Sequence, residues 1–213
     1  DNDFLFTCLN NNPDVKVSPS PVDFAVWRTD SHWQITDKYL PVEKEYTELY
    51  GKSRYFTRYK HDIVFHSFQY DGFFTFSRKE DPVFHPILFS RPFPRDNESR
   101  LKEANSGQWQ LLAETPFVVD GYNIVEISIA GQGQQMFAVN ASNKIFGNSE
   151  VCPKNIPINI VGTMGNHFVG YINDNYELYR NLVAYGFQKG SPEAEDILSR
   201  GGCCLIIYSV GNL

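Results

Sequence analysis

The chain lacks any apolar run of about 18 residues, which excludes a transmembrane helix. It also lacks clustered basic charge. Its 19 Lys and Arg are scattered singly among 25 Asp and Glu, for a net charge of -6. Such a surface neutralises few phosphates, so contact with nucleic acid would need cations supplied by other chains. The four cysteines, Cys8, Cys152, Cys203 and Cys204, form no C-x-x-C pair, so a zinc site has no frame. The five histidines show no H-E-x-x-H or other metal spacing. There is no G-x-S-x-G elbow and no phosphate-binding G-x-x-x-x-G-K-[ST] loop. "GQGQQ" (Gly131–Gln135) is glycine-rich but has no strand-to-helix context and reads as a turn or bulge. From Asp1 onward no charged-then-apolar leader pattern is visible. The expectation is a protein with no metal, no cofactor and no catalysis of its own.

What the chain does have is aromatic side chains: Phe 17, Tyr 12 and Trp 3 in 213 residues. Phe and Tyr suit pleated, half-buried surfaces, so the composition leans to β structure. "VDFAVWRT" (Val22–Thr29) and "HWQIT" (His32–Thr36) read as strands. "RYFTRYKHDIVFHSF" (Arg54–Phe68) and "DGFFTFSRK" (Asp71–Lys79) pair as a hairpin across "QYDG". "QWQLLAE" (Gln108–Glu114) resumes the sheet, and "YNIVEISIA" (Tyr122–Ala130) alternates apolar and polar residues. "QQMFAVN", "INIVGT" and "HFVGYI" continue in extended form. Two short helices are expected. One is "VEKEYTELYG" (Val42–Gly51), and the other is "SPEAEDILSRGG" (Ser191–Gly202), with Ser at the N-cap and Pro at the first helical position. Nine or ten short strands with turn signals predict an all-β fold, an antiparallel β-sandwich of jelly-roll type. The organisation expected is an arm or edge segment at 1–21, then a single jelly-roll domain over 22–213.

Five features are candidates for function or covalent chemistry. Cys8 and Cys152 allow a disulfide, while the vicinal Cys203–Cys204 pair reads as two small buried hydrophobes. Sequons stand at Asn97–Ser99 and Asn140–Ser142 but say little about secretion. Trp27, Trp33 and Trp109 are candidates for a sugar-binding face, against core packing as the alternative. Glu126 could be half of a glycosidase carboxylate pair, or simply the solvent side of a strand. A proline-rich excursion over 81–107 carries Phe84, Phe89 and Phe93. A monomer would struggle to cover these, so they are candidate subunit-interface residues, with folding back onto the sandwich as the alternative. The tail "RGGCCLIIYSVGNL" has no charge from Cys203 to Val210. Both faces of that strand are apolar, which predicts a strand covered on both sides in the middle of a sheet.

Three stretches resemble capsid proteins of picorna-like viruses of the invertebrate type. In Leu49–Asp81 the residues Tyr55, Tyr59, Lys60, Ile63, Val64, Phe65, Gly72, Phe74 and Phe76 fit the family's aromatic strand, loop and following strand. "NIVEISIAGQGQQMFAVN" (Asn123–Asn140) is similar to a second family segment, and "LIIYSVGNL" to its last strand. The resemblance implies a structural capsid subunit that assembles with other capsid proteins and copies of itself into an icosahedral shell around an RNA genome. It implies a location in the virion, assembled in the host cytoplasm. Partners would be those proteins, viral RNA indirectly, and a host receptor, with no membrane span and no enzyme activity. The alternative is a secreted β-sandwich lectin or carbohydrate-binding module, using exposed aromatics.

Overall fold

In the computed structural model the described residues are 3–7, 24–42, 52, 54–78, 80–103, 108–119, 121–140, 142, 145–146, 159–184, 186 and 188–208. The chain divides into two compact units. One is built from 1–57, 61–116 and 126–135, and the other from 58–60, 117–125 and 136–213. The fold is all-β, with several antiparallel sheets and short helices. The arm expected at 1–21 contributes a strand, and what was expected to be one domain over 22–213 holds separate hydrophobic cores. The helix expected at Val42–Gly51 lies, beyond Val42, outside the described residues, as do the disulfide candidates Cys8 and Cys152.

The first unit opens with β1 (Phe4–Thr7), β2 (Phe24–Thr29) and β3 (Ile35–Pro41), paired antiparallel in the order β1-β2-β3. A second sheet follows in the order β4 (Phe56–Tyr59), β5 (Asp62–Phe65), β6 (Gly72–Phe76), β7 (Val83–Pro86). The two sheets meet through one aromatic core. Ala25 and Val26 of β2 pack with Phe65, Phe74 and Phe76, and Tyr39 of β3 stands edge-on to Phe76 at 5.4 Å. This is a sandwich: each sheet buries one apolar face against the other. The predicted hairpin is present, with Ile63 opposite Phe76 and Phe65 opposite Phe74. The stretch Arg54–Phe68, expected as one strand, folds into two, β4 and β5, with a turn at Lys60 (φ 54°). Gly72 (φ 151°) is required where it stands. A Cβ there would meet the His85 carbonyl oxygen and the Phe84 ring.

The excursion after β7 contains a short helix, α1 (Asn97–Glu103), capped by Asp96, whose carboxylate accepts the Ser99 amide at 2.8 Å. The start of the excursion is itself a strand, β7, which pairs with β6 over Val83–Pro86. Two further strands follow, β8 (Gln110–Leu112) and β9 (Phe117–Val119). The alternating stretch Tyr122–Ile129 is β10. Its first half pairs with β9 inside the second unit, and its second half pairs with β8 inside the first. Then come β11 (Gly133–Asn140) and β12 (Ile145–Phe146).

The second unit holds β13 (Asn159–Met164), β14 (His167–Asn173) and β15 (Cys203–Tyr208), antiparallel in that order. Between β14 and β15 lie α2 (Tyr176–Ala184) and α3 (Pro192–Ser199). The α3 N-cap is as expected: Ser191 accepts the Ala194 amide and Pro192 opens the helix. Phe117, Val119, Ile124, Ala138, Ile160 and Phe168 form one core, and Ile172, Tyr179, Leu182 and Leu198 another.

The final strand corrects an expectation. It is not inserted between earlier strands but ends its sheet, with β14 as its neighbour among the described residues. Cys204 and Ile206 pack beneath the helices, whereas Leu205 is 70% exposed and Ile207 53%. Helices cover one face only, so the apolar residues on the other face stay in solvent. Cys203, expected to be buried, lies on that open face as a free thiol, and Cys204 is a free, half-buried thiol.

Candidate functional site

The loop from Asp30 to Gln34 joins β2 to β3 and is built around one carboxylate. Asp30 accepts the backbone amides of His32 (2.8 Å) and Gln34 (3.0 Å). Those two amides, Gln34 first, hold the Asp30 carboxyl below the usual carboxylate range. The Trp33 amide bonds back to the Asp30 carbonyl at 3.1 Å, and the Asp30 amide to the Gln34 carbonyl at 3.0 Å. This is a turn followed by a left-handed residue, the hairpin form in which glycine usually takes the left-handed place. Here that place is taken by Trp33, at φ 64°. A side chain with a Cβ is strained there by about 1–2 kcal/mol, and such strain collects at functional positions.

The strained tryptophan is also the exposed one. Trp33 is 63% accessible, and it sits beside two phenylalanines of β1. Phe4 stacks on the indole at 5.1 Å and 12°, and Phe6 meets it at 5.5 Å and 51°. Phe4 and Phe6 are two apart in one strand and share a face of the sheet. Both are more than a third exposed. Together the three rings make an outward aromatic platform, and the chain neighbours of Trp33, His32 and Gln34, are exposed. Large exposed aromatics gathered in one patch mark a contact surface.

Of the other two tryptophans, Trp27 is half-buried within β2, directly opposite Phe6 in the β1–β2 register, and Trp109 packs elsewhere, against Phe93 at 4.8 Å. Sequence reasoning therefore reached Trp33 but missed Phe4 and Phe6. The signal was the alternation in "FLFT", but nothing local says that this strand lies alongside the 30–34 loop.

Glu126, the candidate carboxylate, sits in a bracing cluster of the first unit. Its Oε1 takes the Arg54 guanidinium at 2.7 Å, with both side chains about one-fifth exposed. Arg54 also donates through Nε to the Thr115 carbonyl (3.2 Å), and its amide donates to the Glu114 carboxylate (3.2 Å). Thr115 donates to the Tyr55 carbonyl at 2.8 Å. Both carboxylates are thus committed to holding the segment before β4 against the strands β8 and β10. A second brace is His66, wholly buried, with Nδ1 2.7 Å from the Gly72 carbonyl and Nε2 2.9 Å from that of Leu112. Burial, and then the Lys52 ammonium, push the His66 imidazole well below its ordinary pKa. Among the described residues no three His, Cys, Asp or Glu side chains gather as a metal site.

The three phenylalanines of the excursion are not brought together. Phe84 lies on β7, partly exposed, with its ring 4.8 Å from Phe74. Phe89 is half-buried. Phe93 is 3% exposed, in a core with Phe68 and Leu111. The interface role expected of Phe93 is corrected by that burial: it folds back onto the sheet because Trp109 and Leu111 offer it an apolar seat.

No protein-family model and no curated protein matches this chain. A solved structure does. It is a Bacteroides fragilis protein named by inference as exported, and the match covers 97% of this chain at a TM-score of 0.61 and 11% identity. At that identity the likeness is one of fold. The chain spans 62% of the length of that neighbour.

Proposed function

We propose that this chain is a non-catalytic β-sandwich binding module that takes carbohydrate on the Phe4–Phe6–Trp33 platform. The observation that carries the reading is Trp33 itself, an exposed indole kept in a backbone conformation that glycine would occupy without strain. Aromatic faces carry partial negative charge, and the flat side of a pyranose ring presents C–H groups that complement it. His32 and Gln34, the exposed chain neighbours of Trp33, carry donors and acceptors for hydroxyls. The fold-level likeness to a protein named as exported agrees with an extracellular setting, where polysaccharide is available.

The test is affinity electrophoresis of the full chain through gels containing a β-glucan, a xylan or a mannan, followed by tryptophan-fluorescence titration with the matching oligosaccharide. The expected result is retardation by one of these polymers that disappears in Trp33→Ala while the circular dichroism spectrum is unchanged. Retardation by none, or retardation that survives Trp33→Ala, overturns the proposal.

A further inference from the structure

We infer that β15 is a pairing edge, and that the partner it fits is β15 of a second copy of this chain. Edge strands expose unpaired N–H and C=O groups, and proteins blunt them with charge, proline, bulges or short length. The other edges follow that rule. β3 carries Asp37, Lys38 and Pro41; β4 carries Arg58; β7 ends on Pro86; β13 has a register shift between Ile160 and Gly162. β1 has four residues, β8 and β9 three each and β12 two. Among the described residues β15 has none of these protections. It runs six residues, "CCLIIY", in unbroken register with β14 from Asn173–Cys203 to Phe168–Tyr208.

Its outward face is equally unguarded. Leu205 and Ile207 stand exposed, directly across from the half-buried Tyr171 and Val169 of β14. The apolar ridge therefore runs up to the edge and stops.

Self-pairing suits this strand for two reasons. A two-fold axis perpendicular to the sheet, centred on Ile206, sets Leu205 opposite Ile207 of the second copy and Ile207 opposite its Leu205. Centred on Leu205, it sets the two Leu205 side chains together and Ile207 opposite Cys203. Either register keeps apolar residues on one continuous face, as an isologous interface requires. The chain as a whole is acidic, at -6, so two copies repel over most approaches, but a strand without charge brings none of that repulsion to the contact. The main-chain hydrogen bonds supply the attraction, as in other strand additions.

The experiment is sedimentation velocity of the full chain under reducing conditions, from micromolar to near-millimolar concentration, beside Leu205→Lys/Ile207→Lys. The wild type is expected to shift from monomer to dimer. The double variant is expected to stay monomeric at the highest concentration with an unchanged melting temperature, since both positions already face solvent. Hydrogen exchange of the wild type gives a second readout: amides of Cys203–Tyr208 that point away from β14 should become protected as concentration rises. A wild type that stays monomeric throughout, a double variant that still dimerises, or β15 amides whose exchange ignores concentration would each overturn the inference.

Discussion

Replacing Trp33 by glycine and by alanine separates backbone strain from ring contacts. Both substitutions remove the indole and with it the stacking on Phe4 and Phe6, so that loss cancels in the comparison. What differs is the backbone. Alanine keeps a Cβ at φ 64° and retains a strain of about 1–2 kcal/mol, which glycine relieves. Against this, glycine gives the unfolded chain more freedom, worth about 0.4–1 kcal/mol. The balance puts Trp33→Gly above Trp33→Ala by up to about 1.6 kcal/mol, the reverse of the usual order of these two residues. Urea unfolding followed by far-ultraviolet circular dichroism measures it, with equal slopes required before the midpoints are compared. Neither variant should bind polysaccharide. If Trp33→Ala is more stable than Trp33→Gly, as at an ordinary position, residue 33 is not held in the left-handed region, and the argument from strain to function is refuted. The same comparison explains how the wild type tolerates tryptophan there: an aromatic pair is worth about 0.5–1.5 kcal/mol beyond its burial, enough to offset much of the strain.

Other perturbations test other parts of the molecule. Arg54→Met leaves Glu126 without its guanidinium, while the backbone amide at 54 still serves Glu114, and should cost about 3 kcal/mol in urea unfolding, as losses of one partner in a largely buried pair do; a loss below about 0.5 kcal/mol would show the ion pair to be ornamental. His66 is kept neutral in the fold, so below its unfolded pKa, near 6.5, the unfolded chain takes a proton that the folded chain refuses. That contribution is therefore intact above about pH 6.5 and lost as the pH falls. His85, also lowered by burial, adds in the same direction. Stability should decline as the pH is lowered from 7 towards 5.5, with a smaller slope in His66→Gln, and identical slopes would reject the assignment. Phe93→Ala should cost about 3–4 kcal/mol through the cavity it leaves, whereas Leu88→Ser, at a side chain 95% exposed, should stay within about 0.5 kcal/mol. Equal melting temperatures for these two variants would place Phe93 outside the core.

Much of this fold is written in local sequence. The alternation of Tyr122–Ala130, the "QYDG" turn between β5 and β6, and the Ser191–Pro192 cap each name their element without help from the rest of the chain. The helix α2 was not legible. "YELYRNLVA" carries two tyrosines and a β-branched valine, weak helix formers, and what fixes it is tertiary: Tyr179 and Leu182 pack with Ile172 and Leu198, and Asn175 caps the helix by accepting the Leu178 amide at 2.8 Å. The tail misled for a related reason. Two apolar faces suggest two covers, but apolar sequence records that a face is sticky and not what it meets. The platform was half legible, since a tryptophan after "DS" can be singled out from sequence, while its neighbours Phe4 and Phe6 arrive through β1–β2 pairing across some twenty residues of chain.

The course of β10 bears on how the protein is made. Tyr122–Val125 belong to one unit and Glu126–Ile129 to the other, so a single strand is divided between two bodies with no linker at the division. A chain halted at Pro116 would carry β8 without the strand that pairs with Leu111 and Leu112, and Arg54 without Glu126, its ion-pair partner 72 residues away. The first unit is therefore complete only when Gln135 has been synthesised, and its closing contacts are distant in sequence, which makes for slow folding. Neither body is a gene segment that can be cut out and expressed alone; the chain is indivisible at the level of the ribosome even where its contacts divide it in two.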